Sequence, residues 1–202
     1  MRVRWRGPGQ GEAEPADDAG DADLVAFAQR HPHGYDRLFA RYWDAVFRYC
    51  YYRLGTWEDA EDAASQVFAD AFARLTHFRD QGDSFRSWLF WIAHNEVVGR
   101  YRRARSAAVP LEGAAELADP GQTPEDAAIA ADANREVRRL LARLPDDQRR
   151  VCELRLAGLS GKEIAAVLEK SHDAVRAAQY RAETRLRELL GVGAMTEGAP
   201  HA

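Results

Sequence analysis

The stretch from Leu144 to Leu190, LPDDQRRVCELRLAGLSGKEIAAVLEKSHDAVRAAQYRAETRLRELL, admits few folds, because it reads as three helices broken by two tight corners. Ser160-Gly161-Lys162-Glu163 has the form of a capping box. In such a box the Ser160 hydroxyl accepts from the Glu163 backbone N–H, and the Glu163 carboxylate reaches back to that of Ser160. A helix is therefore predicted from Gly161, with Ile164, Ala165 and Leu168 on one face, ending near Glu169-Lys170. Ser171 then offers a second N-cap. In the helix that follows, Val175, Ala178, Ala182, Leu186 and Leu189 recur at three- and four-residue steps and define an inward stripe. The opposite face carries His172, Asp173, Arg176, Tyr180, Arg181 and Arg185. It begins at the helix N-terminus, where a helix-turn-helix places the side chains that read the major groove. Small Ala165 lets the two helices close at their corner. An amphipathic pair inside an ordinary bundle would share the stripe, but box, small residue, second cap and basic face in one register favour a DNA-reading unit.

The rest of the chain carries the same helical period, so an all-α protein is expected: two small helical domains joined by a flexible linker. Residues 1–20 are rich in Gly, Pro, Ala and acids and lack periodicity, as a disordered tail does. Leu24, Val25, Phe27 and Ala28 mark a short helix, which His31-Pro32-His33-Gly34 stops. His31 and His33 lack a third ligand nearby, and no metal or cofactor is expected. From Tyr35 to Leu54 an aromatic stripe runs through Leu38, Phe39, Tyr42, Trp43, Val46, Phe47, Cys50 and Tyr51. Thr56 then caps an acidic helix reaching about Leu75, with Glu58, Asp59, Glu61, Asp62 and Asp70 exposed over a buried side that includes Val67, Phe68 and Phe72. That face is either simply solvated or a docking surface for a basic partner.

After a polar loop from Thr76 to Ser84, the helix Phe85 to Arg105 changes character along its length. Trp88 and Trp91 lie near its start, and Arg100, Arg102, Arg103 and Arg105 crowd its end. Aromatic stacking surfaces beside phosphate-seeking charge suit single-stranded nucleic acid, although core tryptophans and C-terminal arginines are also ordinary in a helix. Residues 106–123, with Pro110, Gly113, Pro120 and Gly121, read as an acidic linker, and Thr123-Pro124 opens the helix that leads into the three described first. The domains are therefore placed at 21–105 and 124–190, and residues 191–202 are expected to fray.

A net charge of −4 confines any DNA contact to local patches. Those patches are almost wholly arginine, since the only lysines are Lys162 and Lys170. Cys50 and Cys152 sit singly in apolar helical settings, which excludes a disulfide framework. The sequence lacks an apolar run of membrane-spanning length, and the arginine-rich start is followed by Gly-Pro-Gly, so a cytoplasmic protein is expected. With no phosphate-binding glycine loop, nucleophile elbow or metal-ligand spacing, an enzyme is not expected and no catalytic residue is assigned.

Three blocks in this order and spacing resemble a bacterial sigma factor of the small extracytoplasmic-function type. They are DAEDAASQVF (Asp59 to Phe68), SFRSWLFWIAHN (Ser84 to Asn95) with its arginine tail, and LSGKEIAAVLEKSHDAVRAAQYRA (Leu159 to Ala182). The resemblance runs from about Asp21 to Leu190. It implies that the first domain docks on the clamp helices of the largest subunit of core RNA polymerase through Asp59, Glu61, Asp62, Gln66 and Phe68. Asp83, Ser84, Phe85, Trp88, Asn95, Arg100 and Arg103 would hold the melted minus-ten strand. Lys162, His172, Asp173, Arg176, Ala177, Tyr180, Arg181 and Arg185 would meet the minus-thirty-five duplex, with the second domain on the flap of the second-largest subunit. The acidic linker would thread toward the RNA exit channel, and an anti-sigma factor is an implied partner. Departures from the family pattern are Ser65 for a glutamine, Gly99 for an aspartate, and Glu169-Lys170 for a glycine and an apolar residue at the corner. The other reading is a helix-turn-helix regulator that acts on operator DNA without polymerase.

Overall fold

The computed structural model describes residues 14–16, 18–79, 84–106 and 124–191, and every regular element among them is helical. The first half holds α1 (Asp21–Arg30), α2 (Tyr35–Leu54), α3 (Trp57–Arg74) and α4 (Phe85–Ser106), with short 3-10 turns at Pro32–Gly34 and Leu75–His77. The second holds α5 (Pro124–Leu141), α6 (Asp146–Leu156), α7 (Gly161–Leu168) and α8 (His172–Leu189). Apart from Ser106, which is still helical, the expected linker lies outside the described residues, as do residues 192–202.

Local chemistry sets the helix boundaries. Gly55 ends α2 in the left-handed region at φ 99°, a conformation that costs glycine nothing. The Thr56 side chain accepts from the Asp59 backbone N–H at 3.1 Å and opens α3. Between them the helices pack through α2's aromatic stripe, where Leu38, Val46, Tyr49 and Cys50 are wholly buried against Ala60, Ala63, Ala64 and Val67. The alanines let α2 and α3 approach closely, and α4 completes the packing with Leu89, Phe90 and Val97. Tyr49 meets Phe90 edge-on at 5.8 Å, and its hydroxyl pairs with His94 Nδ1 at 3.0 Å.

Two features go beyond what the sequence foretells. Residues 1–13 and 17 of the expected tail lie outside the described residues, and at its end Arg37 donates to the carbonyls of Pro15 and Ala16, and Arg41 to that of Ala19. These carbonyls satisfy guanidinium groups on α2, which the lack of periodicity in the tail could not foretell. The second is the contact between the two helical domains. Val151, Leu154, Ala157, Leu159, Ile164 and Val167 of the second half belong to the same buried cluster as the first half's core. Among the described residues, Leu141, Leu144 and Ala182 form a separate small cluster under α5, α6 and α8.

Candidate nucleic-acid and docking interfaces

The corner between α7 and α8 is built as the capping rules require. Ser160 Oγ accepts from the Glu163 N–H at 3.3 Å while Glu163 Oε2 accepts from the Ser160 N–H at 2.7 Å. Ser171 caps α8 by accepting from the Ala174 N–H at 3.2 Å. Between them Glu169 stands at φ 52°, the only non-glycine residue with positive φ among the described residues. Its N–H closes on Ala165 and Ala166 carbonyls, so the corner keeps its geometry without glycine and carries the strain of a left-handed side chain, ordinarily about 1–2 kcal/mol. Val175, Ala178 and Ala182 turn inward; His172, Asp173, Arg176, Ala177, Tyr180, Arg181 and Arg185 are exposed on α8, and Lys162 on α7. Tyr180 keeps 70% of its surface open, far more than a packing role needs. Arg181 lies 3.6 Å from Asp147, and Arg185 donates to the Arg143 carbonyl at 3.3 Å, which steadies both side chains on the surface.

On α3, Glu61, Asp62, Gln66 and Ser65 are exposed. Asp59 is half-buried and accepts from the Thr56 hydroxyl at 2.7 Å, so the N-cap employs it. The Thr56-x-x-Asp59 spacing already carried that signal. Phe68 is 3% exposed among Tyr35, Phe39 and Trp43, and cannot face a partner as expected. One helical turn on, Phe72 is 48% exposed, and Phe39 is 39% exposed on α2. These two rings form an apolar rim beside the acids, and sequence reasoning placed both in the core because they lie on the same stripe as buried neighbours.

On α4, Asp83 lies outside the described residues. Ser84 caps the helix by accepting from the Ser87 N–H at 3.2 Å. Phe85 is buried against Tyr42 and Phe78, with little of its ring left for a base, and stands at the edge of a cavity of about 240 Å³ that it shares with Asp21, Val25, Gln29 and Ser84. Trp88 is half-buried, packed on Phe78 with ring centres 4.9 Å apart. Asn95 and Arg103 are exposed; Arg100 and Arg103 both donate to Glu96 Oε1, at 2.7 and 3.2 Å. The helix runs unbroken through Gly99. A cleft of about 580 Å³ lies between His77, Phe78, Arg79, Ser87, Trp88 and Trp91 on one side and Ala166 and Glu169 of α7 on the other.

The two halves also share a buried ion pair. Arg53 Nη1 donates to Glu153 Oε2 at 3.0 Å, across one hundred residues of sequence, and Arg149 Nε donates to Glu153 Oε1 at 2.7 Å. Burial pushes the Glu153 carboxyl above its ordinary range against the pull of the two arginines. His94, beside this cluster, is pushed down to about 4, first by burial and then by Arg150 and Arg53. Among the described residues no group of three His, Cys, Asp or Glu side chains could hold a metal, and no helix is long and apolar enough to cross a membrane.

Known proteins share this arrangement. The family model for sigma-70 region 2 matches residues 38–107, and that for sigma-70 region 4 matches residues 134–186. The chain is 34% identical over 184 residues to the ECF RNA polymerase sigma factor BldN of Streptomyces coelicolor, a match covering 87% of this chain and 69% of that one. The solved structure of CnrH in complex with the cytosolic domain of CnrY aligns with a TM-score of 0.65 at 27% identity, covering 86% of this chain and 99% of that one. The sigma factor RpoE in complex with the anti-sigma factor NepR from Bartonella quintana shares the fold, with a TM-score of 0.61 at 24% identity over 78% of this chain and 97% of that one. A regulator that shares only a helix-turn-helix is not favoured, since both sigma-70 regions are present in order. The chain belongs to the extracytoplasmic-function sigma factors, which direct bacterial RNA polymerase to promoters.

Proposed function

We propose that residues 21–105 dock on the clamp helices of core polymerase and hold the melted minus-ten strand, while residues 124–190 bind the flap and read the minus-thirty-five duplex. The observation that carries this reading is the pairing, in one chain, of an exposed acidic face on α3 with an exposed arginine face on α8. Glu61, Asp62 and Gln66 supply the polar part of the docking face, and Phe39 and Phe72 supply apolar area that their aromatic neighbours already half-desolvate. Arg176, Tyr180 and Arg181 meet base edges and phosphates, with Lys162, His172 and Arg185 at the margin; a bidentate arginine–guanine contact is worth about 1–3 kcal/mol.

On α4, Trp88, Asn95, Arg100 and Arg103 follow the unpaired strand. Melting is driven by binding: a base leaves the stack at a cost of a few kcal/mol, which stacking on aromatic side chains and phosphate contacts return. The protein thus acts in the cytoplasm as a binding factor and performs no chemistry of its own. An anti-sigma factor is a further partner, as in the RpoE–NepR complex. The test is transcription in vitro with purified core polymerase across a promoter library. Selective initiation is expected; initiation that is equal on matched and scrambled promoters would end the reading. Reversing the charge at Asp62 is expected to weaken retention on immobilised core enzyme.

A further inference from the structure

The surface where the halves meet covers side chains that promoter opening would need. Ser84 Oγ donates to Glu163 Oε1 at 3.4 Å, and Trp91 Nε1 donates to Glu169 Oε1 at 3.2 Å. Trp88 and Trp91 line a cleft whose far wall is α7. Two carboxylates of the DNA-reading half therefore lie against the start of α4, where the phosphates of a strand would otherwise run.

Arg53 and Glu153 hold this arrangement together with 6% and 0% of their surface exposed. Around them the contacts are reciprocal. Arg86 of α4 donates to the Ala157 carbonyl at 3.2 Å, its guanidinium standing where a Cβ on Gly158 would be. Arg138 of α5 donates to the Gly55 carbonyl in the same way at the end of α2. Gly55 and Gly158 both have positive φ, so each half offers a glycine corner to an arginine of the other. Such contacts fix one geometry and contribute little net stability. A buried ion pair returns roughly what its desolvation costs, and here Arg53 Nε has no hydrogen-bond partner. The arrangement is specific and yet openable.

We propose that this interface is an autoinhibitory latch: in the free chain the Arg53–Glu153 pair seats α7 over α4 and closes the minus-ten surface until the halves are drawn apart on polymerase. The latch rests on the proposed function only for the identity of what it covers. Its test uses the full chain in three forms: wild type, Glu153→Gln, and the exchanged pair Arg53→Glu with Glu153→Arg. Small-angle scattering reads compaction, circular dichroism reads helix content, and fluorescence anisotropy reads binding of a short labelled thymine-rich DNA strand.

Wild type is expected to be compact. Glu153→Gln is expected to expand with its helix content kept. If the latch keeps only a tenth of the free chain open, this variant binds the strand about ten-fold more tightly. The exchanged pair is expected to restore both compaction and weak binding. Glu169→Gly removes Trp91's partner while relaxing a left-handed residue; it is expected to shift both readouts in the direction of Glu153→Gln, and it decides alone should Glu153→Gln lose helix content. An expanded wild type, variants as compact as wild type, or expansion without tighter strand binding would each overturn the latch. Promoter-selective transcription by the wild type stands or falls separately, so the two readings fail in distinguishable ways.

Discussion

The exposed face of α8 and the first turns of α4 are both assigned to nucleic acid, yet they are presented in opposite ways. On α8 the candidate side chains project into solvent from a helix whose buried stripe is Val175, Ala178 and Ala182. Ser84, which caps α4, and Trp88 and Trp91 within it are instead half-covered, with Glu163 and Glu169 among the groups lying against them. A duplex-reading helix can stand open because its binding needs only a complementary groove. A surface that stacks unpaired bases exposes large aromatic area, and covering it in the free protein avoids an apolar patch.

The contrast can be broken most severely in the shared core. Leu154 is fully buried where α6 joins the common cluster, so Leu154→Ala is expected to cost about 2–5 kcal/mol in urea denaturation. Two separate unfolding transitions, of which Leu154→Ala shifts only one, would mean that the halves do not share their stability.

Acid should act on the covered region next. His94 faces Arg150 and Arg53, with Asp146 and Glu169 opposing them, and burial holds it neutral to about pH 4. Its folded-state value lies below the unfolded 6.5, so the unfolded chain binds the proton first as pH falls. Stability is then full above about pH 6.5 and declines toward pH 4 by on the order of 2–3 kcal/mol. Denaturation curves of wild type and His94→Gln across this window check it; parallel curves would remove His94 as the cause.

Arg176→Ala tests the open face. It is expected to cost about 1–3 kcal/mol of discrimination between matched and altered upstream duplexes, while thermal stability stays within measurement error. A drop in melting temperature would show that the side chain is structural after all. The smallest effect is local: Thr56→Ala removes the α3 cap and is expected to cost about 1 kcal/mol in thermal unfolding, with no change at α8.

How much of this was legible in the sequence follows the same division. The caps and the inward stripe of the α7–α8 corner were legible because they are relations between residues three or four apart, whereas the left-handed turn at Glu169 was not. The exposed arginines of α8 followed from that stripe. Phe68 and Phe72 are four residues apart on one helix and look alike from periodicity, yet Tyr35, Phe39 and Trp43 enclose the first and leave half of the second open. Phe85 shows the same limit: a ring at a helix start looks fully available until Tyr42 and Phe78 are seen packed on it.

Taken alone, the sequence determined the helices, their caps and the sides they turn to solvent or core, since i to i+4 contacts and the 3.6-residue period are local physics. It also carried the family, through blocks whose order survives without knowledge of their contacts. Only the tertiary structure decided that the halves close on each other, that Arg53 finds Glu153, and that α7 covers the start of α4. An ion pair spanning one hundred residues leaves no periodic trace, because nothing in either local segment requires the other until packing has excluded water from both.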